Sequence, residues 1–176
     1  MDRPRLYRAK GKDEDDKNHW YVGYYFMLSD TTYCFEEDYE RARKEGNDPD
    51  HHYIVFDQMT DWGLPNKHLQ AEIRPETLCM STEYVKNNQT VFQGDIIQLD
   101  KSDATVTLTG IIRFGKYKSA FDKDNTEHYG FYIEWLKVFS INTEHLRKDM
   151  GYWMNQEEIK VVGNIIDNPE HFEKRK

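Results

Sequence analysis

Thr105-Val106-Thr107-Leu108-Thr109-Gly110-Ile111-Ile112-Arg113-Phe114 decides the fold class of this chain. Val106, Leu108, Gly110, Ile112 and Phe114 alternate with Thr105, Thr107, Thr109, Ile111 and Arg113. A period of two gathers one set of side chains on one face only if the segment is a β-strand. Gly110 in its middle predicts a bulge or a sharp bend. Working outward, Ile96 to Leu99 and the series Tyr129, Phe131, Ile133 and Trp135 read as neighbouring strands. Further toward the N-terminus, Trp20, Val22, Tyr24 and Phe26 oppose Tyr21, Gly23, Tyr25 and Met27. The first of these sets is the more strongly apolar and is expected in the core, with Tyr21 and Tyr25 outside. Shorter strands are predicted at Arg5 to Ala9, His52 to Gln58, Gln70 to Ile73, Glu76 to Ser81 and Ile159 to Val162.

Helical spacing is scarce. Phe35, Tyr39 and Ala42 predict a short helix over Glu36 to Glu45, with Glu36, Glu37 and Asp38 favoured in the first turn by the helix dipole and Gly46 ending it. Asn142 to Lys148 and a segment opening at Pro169 read as two further short helices. Asp61 to His68, with Gly63 and Pro65, reads as a loop, and Lys86-Asn87-Asn88-Gln89 as a polar turn. Many short strands with few helices predict a β-dominated α+β fold: a curled antiparallel sheet or a partly open small β-barrel with short peripheral helices. A chain of 176 residues is read as a single domain, 1–176, with an insertion at about 29–68.

Composition narrows the function classes. Twenty-four Lys and Arg against 32 Asp and Glu give a formal charge of −8, which argues against a protein that coats nucleic acid through a phosphate-neutralising surface. The two cysteines, Cys34 and Cys79, sit in strand-like apolar surroundings and are expected to be buried free thiols of a reducing cytoplasm. No apolar run approaches the ~20 residues of a membrane helix.

Two glycine-centred segments stand out. One is Val91-Phe92-Gln93-Gly94-Asp95-Ile96-Ile97; the other is Val161-Val162-Gly163-Asn164-Ile165-Ile166-Asp167-Asn168-Pro169-Glu170. Each reads as a structural device, a glycine-centred turn beside a strand; at Gly94 glycine can supply the positive φ of a tight turn and Asp95 can bond the backbone just after it. With Tyr7-Arg8-Ala9, Trp20-Tyr21-Val22-Gly23-Tyr24 and Pro75-Glu76-Thr77, these segments resemble the YopX protein family of phages and prophages. The motif residues that carry the resemblance are Gly94, Asp95, Ile96, Gly163, Asn164, Ile165, Asn168 and Pro169. The chain departs from the family pattern at Leu78 to Tyr84, and the excursion at 29–68 is long. The resemblance implies a β-rich phage or prophage accessory protein and transfers no catalytic residue.

Chemistry-bearing constellations are sparse. There is no phosphate-cradling Gly-rich loop, no His-Glu-x-x-His and no Gly-x-Ser-x-Gly. His51 and His52 with Asp48, Asp50 and Asp57 are metal-ligand types, but adjacent strand residues point to opposite faces. Glu76, Glu83 and Asp95 are the carboxylates that could work as an acid–base pair. Neither set carries an assignment, so no catalytic, cofactor or metal residue is expected. Partner-binding candidates are two acidic runs, Asp13-Glu14-Asp15-Asp16 and Glu36-Glu37-Asp38, and the tyrosines Tyr21, Tyr25 and Tyr132. Acidic runs can imitate phosphate on a basic protein partner, and equally can be solvated charge. Exposed tyrosines near Arg113, Lys116, Lys118 and Lys123, including Tyr117, are the pattern for stacking on single-stranded nucleic acid. The expectation is a non-enzymatic cytoplasmic protein that binds a host or phage protein, for instance to interfere with a host process or defence system. The alternative is a small nucleic-acid-binding module of phage replication or regulation. Self-association is compatible with both, and no membrane partner is expected.

Overall fold

The computed structural model describes residues 5–29, 33–100, 107–119, 126–136, 148–156 and 158–170. Among these residues there are ten strands: β1 (Tyr7–Lys10), β2 (Trp20–Ser29), β3 (Asp50–Met59), β4 (Pro65–Glu72), β5 (Cys79–Lys86), β6 (Gln89–Phe92), β7 (Asp95–Asp100), β8 (Thr107–Lys118), β9 (Glu127–Trp135) and β10 (Ile159–Asn164). Two short helices accompany them, α1 (Glu36–Lys44) and α2 (Met150–Met154), with a 3₁₀ turn at Pro75–Thr77. Every strand pair is antiparallel, in two sheets ordered β4-β3-β2-β1-β5-β6 and β10-β7-β8-β9. Neither sheet closes into a barrel among the described residues, so the fold is β-dominated with open antiparallel sheets. The chain divides into two compact units, Met1–Met80 and Ser81–Lys176.

In the first unit, Ala9, Ile54 and Ile73 form a buried core flanked by Tyr7, Tyr21, Tyr25, Phe56 and Leu78. This reverses the facing of β2 expected from its alternation. Tyr21 and Tyr25 turn to the core, while Val22 and Tyr24 are exposed. Both faces of β2 are apolar, so the alternation identifies a strand without saying which face is covered. Gly23 helps decide it. A Cβ there would lie 2.0 Å from the Val55 carbonyl oxygen and 3.0 Å from the Ile54 side chain, so β3 approaches β2 closely only because this position is glycine. The segment 29–68 contributes β3, with Ile54, and the first half of β4 to this unit. The expected loop at Asp61 to His68 is shorter than read, because β4 begins at Pro65 on the sheet's outer edge, where a missing N–H costs no ladder bond. Helix α1 ends as expected: Gly46 adopts φ +84° and its N–H donates to Arg43. Cys79 is buried, but Cys34 is exposed just before α1, contrary to the buried thiol expected.

The second unit has the larger core: Val91, Ile97, Leu99, Leu108, Ile112, Ile133, Trp135, Met150, Trp153, Met154 and Ile159. Strands β5 and β6 meet through Asn87 and Asn88, both at positive φ, as a two-residue hairpin of the type that matches strand twist requires. A register shift between Ser81 and Val85 is held by hydroxyls, with Thr82 Oγ1 donating to the Val91 carbonyl and accepting from the Tyr84 N–H. Gly110 lies in uninterrupted register with Ile97 and Trp135, so it makes no bulge. It is glycine because a Cβ would sit 2.6 Å from Ile133 and 2.9 Å from Trp135, whose side chains close over it. Helix α2 lacks a sequence signal because it is a single turn; Asp149 caps it by accepting from the Tyr152 N–H at 2.8 Å. Trp153 on that turn packs edge-on to Trp135 at 4.9 Å. The helix expected at Asn142 to Lys148 lies outside the described residues except for Lys148, and of the segment opening at Pro169 only Pro169 and Glu170 are described.

The two glycine motifs prove to be neighbours. β10 pairs with β7, Gly163 opposite Ile96 and Asn164 opposite Asp95, with a bulge at Val162. Gly94 takes φ +82°, donates its N–H to Ile112 on β8 and accepts at its carbonyl from the Ile165 N–H. Asp95 is buried and its carboxylate accepts from the Phe92 N–H, so it binds the backbone before the turn rather than after it. Asn164 Oδ1 accepts from the Ile166 and Asp167 N–H groups, and Asn168 Oδ1 accepts from the Asn164 N–H. A Cβ on Gly163 would stand 2.3 Å from that Asn168 oxygen. Gly163→Ala is therefore expected to lower stability by about 1–3 kcal/mol, seen as a reduced urea midpoint at unchanged slope. In an Asn168→Ala background the added methyl should cost much less, because the two positions share one space.

Candidate functional site

The sequence-expected site residues fall into three groups. Asp13, Glu14, Asp15 and Asp16 form the turn between β1 and β2. Asp16 is turned inward: one carboxylate oxygen accepts from the Tyr21 hydroxyl at 2.9 Å, and the group lies where a Cβ on Gly11 would be. That bond is the main reason the Tyr21 phenol is held above its ordinary pKa. Glu14 pairs with Lys17 at 2.5 Å. Glu36, Glu37 and Asp38 occupy the first turn of α1, where Asp38 pairs with Arg41. Asp16, Glu14 and Asp38 thus engage groups of their own turn and helix, while Asp13, Asp15, Glu36 and Glu37 are exposed. Tyr25 shares a 2.7 Å hydrogen bond with His52 on the core side, and burial raises its pKa. Tyr132 stacks on Tyr117 at 5.3 Å, and Tyr117 stacks in turn on His128. Gly94, Asp95, Ile96, Gly163, Asn164, Ile165 and Asn168 serve the β7–β10 junction, followed by Pro169; their work is structural.

His51 and His52 point to opposite faces as expected. His51 Nδ1 lies 2.9 Å from Glu72 Oε1, and His52 meets Tyr25. No group of three or more His, Cys, Asp or Glu able to hold a metal occurs among the described residues. Asp95 is committed to its own turn, while Glu76 and Glu83 are exposed.

Two surfaces of the first unit were not identified from sequence. The first is the tip of the β3–β4 hairpin. Trp62 is 89% exposed, with Met59 and Leu64 exposed on either side. The tip is an ordered turn: the Gly63 N–H donates to Thr60, the Thr60 N–H to Leu64, and the Leu64 N–H to Thr60 Oγ1. Gly63 at φ +71° permits the reversal. The indole is therefore presented by a fixed backbone. The signal available in the sequence was Trp62 itself, a large apolar side chain within a Thr-Asp-Trp-Gly-Leu turn. The second surface is the β2 face turned away from the core. It carries Trp20, Val22, Tyr24, Phe26 and Leu28, with Tyr53 and Val55 beside them on β3. Phe26 stacks on Tyr53 at 5.1 Å, and the Arg8 guanidinium lies over Trp20 at 4.8 Å. At its margin Glu72 accepts from Lys12 and from His51.

No protein-family profile, characterised protein or solved structure matches this chain at a significant level. No helix among the described residues is long and apolar enough to cross a membrane.

The Glu72 cluster has a testable pH consequence. Its bond to Lys12, then that to His51, holds the Glu72 carboxyl below its ordinary pKa, against the opposing effect of burial. A depressed pKa contributes stability above the ordinary glutamate value of about 4.3, lost as pH falls through the lower folded value. Glu72→Gln should lower stability at neutral pH and flatten the acid limb of stability against pH, measured by urea unfolding from pH 7 downward.

Proposed function

We propose that this chain is a non-enzymatic, YopX-like accessory protein of a phage or prophage that binds a host or phage protein in the bacterial cytoplasm. The observation that carries this reading is Trp62, held out of the molecule by the ordered Thr60–Leu64 turn. Burying an indole removes roughly 150–250 Å² from water, worth about 4–6 kcal/mol before ordering costs. A prefixed turn keeps those ordering costs low. Tryptophan anchors in apolar pockets are the commonest hot spots of protein interfaces. The motif residues Gly94 to Ile96 and Gly163 to Pro169 support the phage-family reading. Interference with a host process or defence system is one concrete form of the activity. Trp62→Ala is expected to weaken partner binding at least about 30-fold with an unchanged circular dichroism spectrum. The check is a pull-down from bacterial lysate with and without nuclease, wild type against variant. A nuclease-resistant partner retained equally by the variant would refute the role of the tip.

A second reading, a nucleic-acid-binding module, is favoured by the Tyr132–Tyr117–His128 ladder on β8 and β9, with Arg113 and Lys118 on the same strands. Arg113 and the neighbouring Lys116 are paired with Glu134 and Glu127, which reduces the charge offered to phosphate. Under this reading fluorescently labelled single-stranded DNA binds with an affinity that falls steeply with salt, and Tyr117→Ala weakens it.

A further inference from the structure

The outer face of β2 is apolar along its whole length. Trp20, Val22, Tyr24, Phe26 and Leu28 occupy alternate positions of one ten-residue strand and share one face. Val22, Tyr24 and Leu28 are 46%, 46% and 54% exposed. Ordinary sheet faces in contact with water alternate polar residues here. We infer that this face is the interface of a two-fold symmetric dimer, in which the β2 strands of two copies of this chain pack face to face and antiparallel about Tyr24.

Three features select a second copy as the occupant. The first is shape. Turning the row about Tyr24 sets Val22 against Phe26 and Trp20 against Leu28, so a smaller side chain meets a larger one at each step and Tyr24 meets its own symmetry mate. An isologous interface requires that self-complementarity. The second is charge. The chain carries a formal charge of −8, which opposes association of two copies through most of the surface. Among the described residues, Arg8, Lys10 and Lys12 share this face with Asp57 and Glu72, so its charge is close to balanced and two copies meet less repulsion here than over the acidic remainder of the surface. The third is area. A ten-residue strand with β1, β3 and β4 alongside spans about 33 by 19 Å, on the order of 600 Å² before side-chain relief is counted. A standard interface takes about 800 Å² from each partner. The proposed two-fold lies at Tyr24, opposite Val55, whereas Trp62 lies in the turn between β3 and β4, beyond the paired residues.

The test is sedimentation velocity of the full chain across the micromolar range, with light scattering for mass. Wild type is expected to be dimeric, and Tyr24→Lys to dimerise at least about 30-fold more weakly. Trp62→Ala should dimerise like wild type. Because Tyr24 lies at the two-fold, Tyr24→Cys in a Cys34→Ser background should be cross-linked to a covalent dimer by a short bismaleimide. This second variant keeps a neutral side chain at Tyr24 and so guards against misfolding of the lysine variant. A wild type that stays monomeric, a dimer untouched by Tyr24→Lys, a dimer lost in Trp62→Ala, or a Tyr24→Cys chain that fails to cross-link would each overturn the inference.

Discussion

Gly94 is held from both sides: its N–H reaches Ile112 on β8 and its carbonyl receives the N–H of Ile165 just past β10. No side chain takes part, and positive φ lets the peptide units face two neighbours at once. The start of β7, the middle of β8 and the end of the distant β10 are thereby tied together at one peptide. Asp95 completes the junction from within, since its buried carboxylate has the Phe92 N–H to accept. Leaving that donor or that carboxylate alone in the interior would cost more than the bond itself contributes. Beyond the junction, β7 and β8 run into a core where Ile97, Leu99 and Ile112 pack under Trp135 and Trp153. The apolar burial stabilises the unit, but the junction determines which residues are buried.

The first unit rests on a steric constraint of the same kind. Gly23 allows β3 to pass against β2, which brings Ile54 into contact with Ala9 and Tyr25. That contact commits one face of β2 to the core. The opposite face, equally apolar in sequence, is left outside, and this is why the functional reading moves from Tyr21 and Tyr25 to Trp20, Tyr24 and Leu28. The hairpin that follows ends in a turn whose three hydrogen bonds are all internal to residues 60–64, so Trp62 has no structural task within its own loop. A large apolar ring without an internal role is informative because leaving it in water costs free energy.

Several elements were legible without coordinates. The alternation in β8 and β9, the extent of α1 and its termination at Gly46, and the turn at Asn87-Asn88 follow from local rules of period, capping and backbone freedom. The metal-type residues at His51 and His52 were legible too, since strand geometry alone sends them to opposite faces. Other features were not. Gly110 looked like a bend and instead makes room for Ile133 and Trp135, side chains that lie on a different strand. Asp16 looked like exposed charge and instead sits beside Gly11 and Tyr21. Helix α2 has too few residues to show a period and exists because Asp149 caps a turn whose Trp153 packs on Trp135.

The sequence by itself determined that this is a β-dominated chain with a glycine turn at Gly94, a reversal just after Gly163 and a well-marked helix at α1. Those properties depend on neighbours within a few residues, where alternation, φ and capping are set. Only the tertiary structure decided that the two glycine motifs meet, which face of β2 is covered, and that Trp62 is left in solvent. The physical reason is that burial depends on what lies across the sheet. An apolar face reads the same whether another strand or water covers it, until Gly23, Gly110 and the Gly94 backbone bonds bring particular partners into contact.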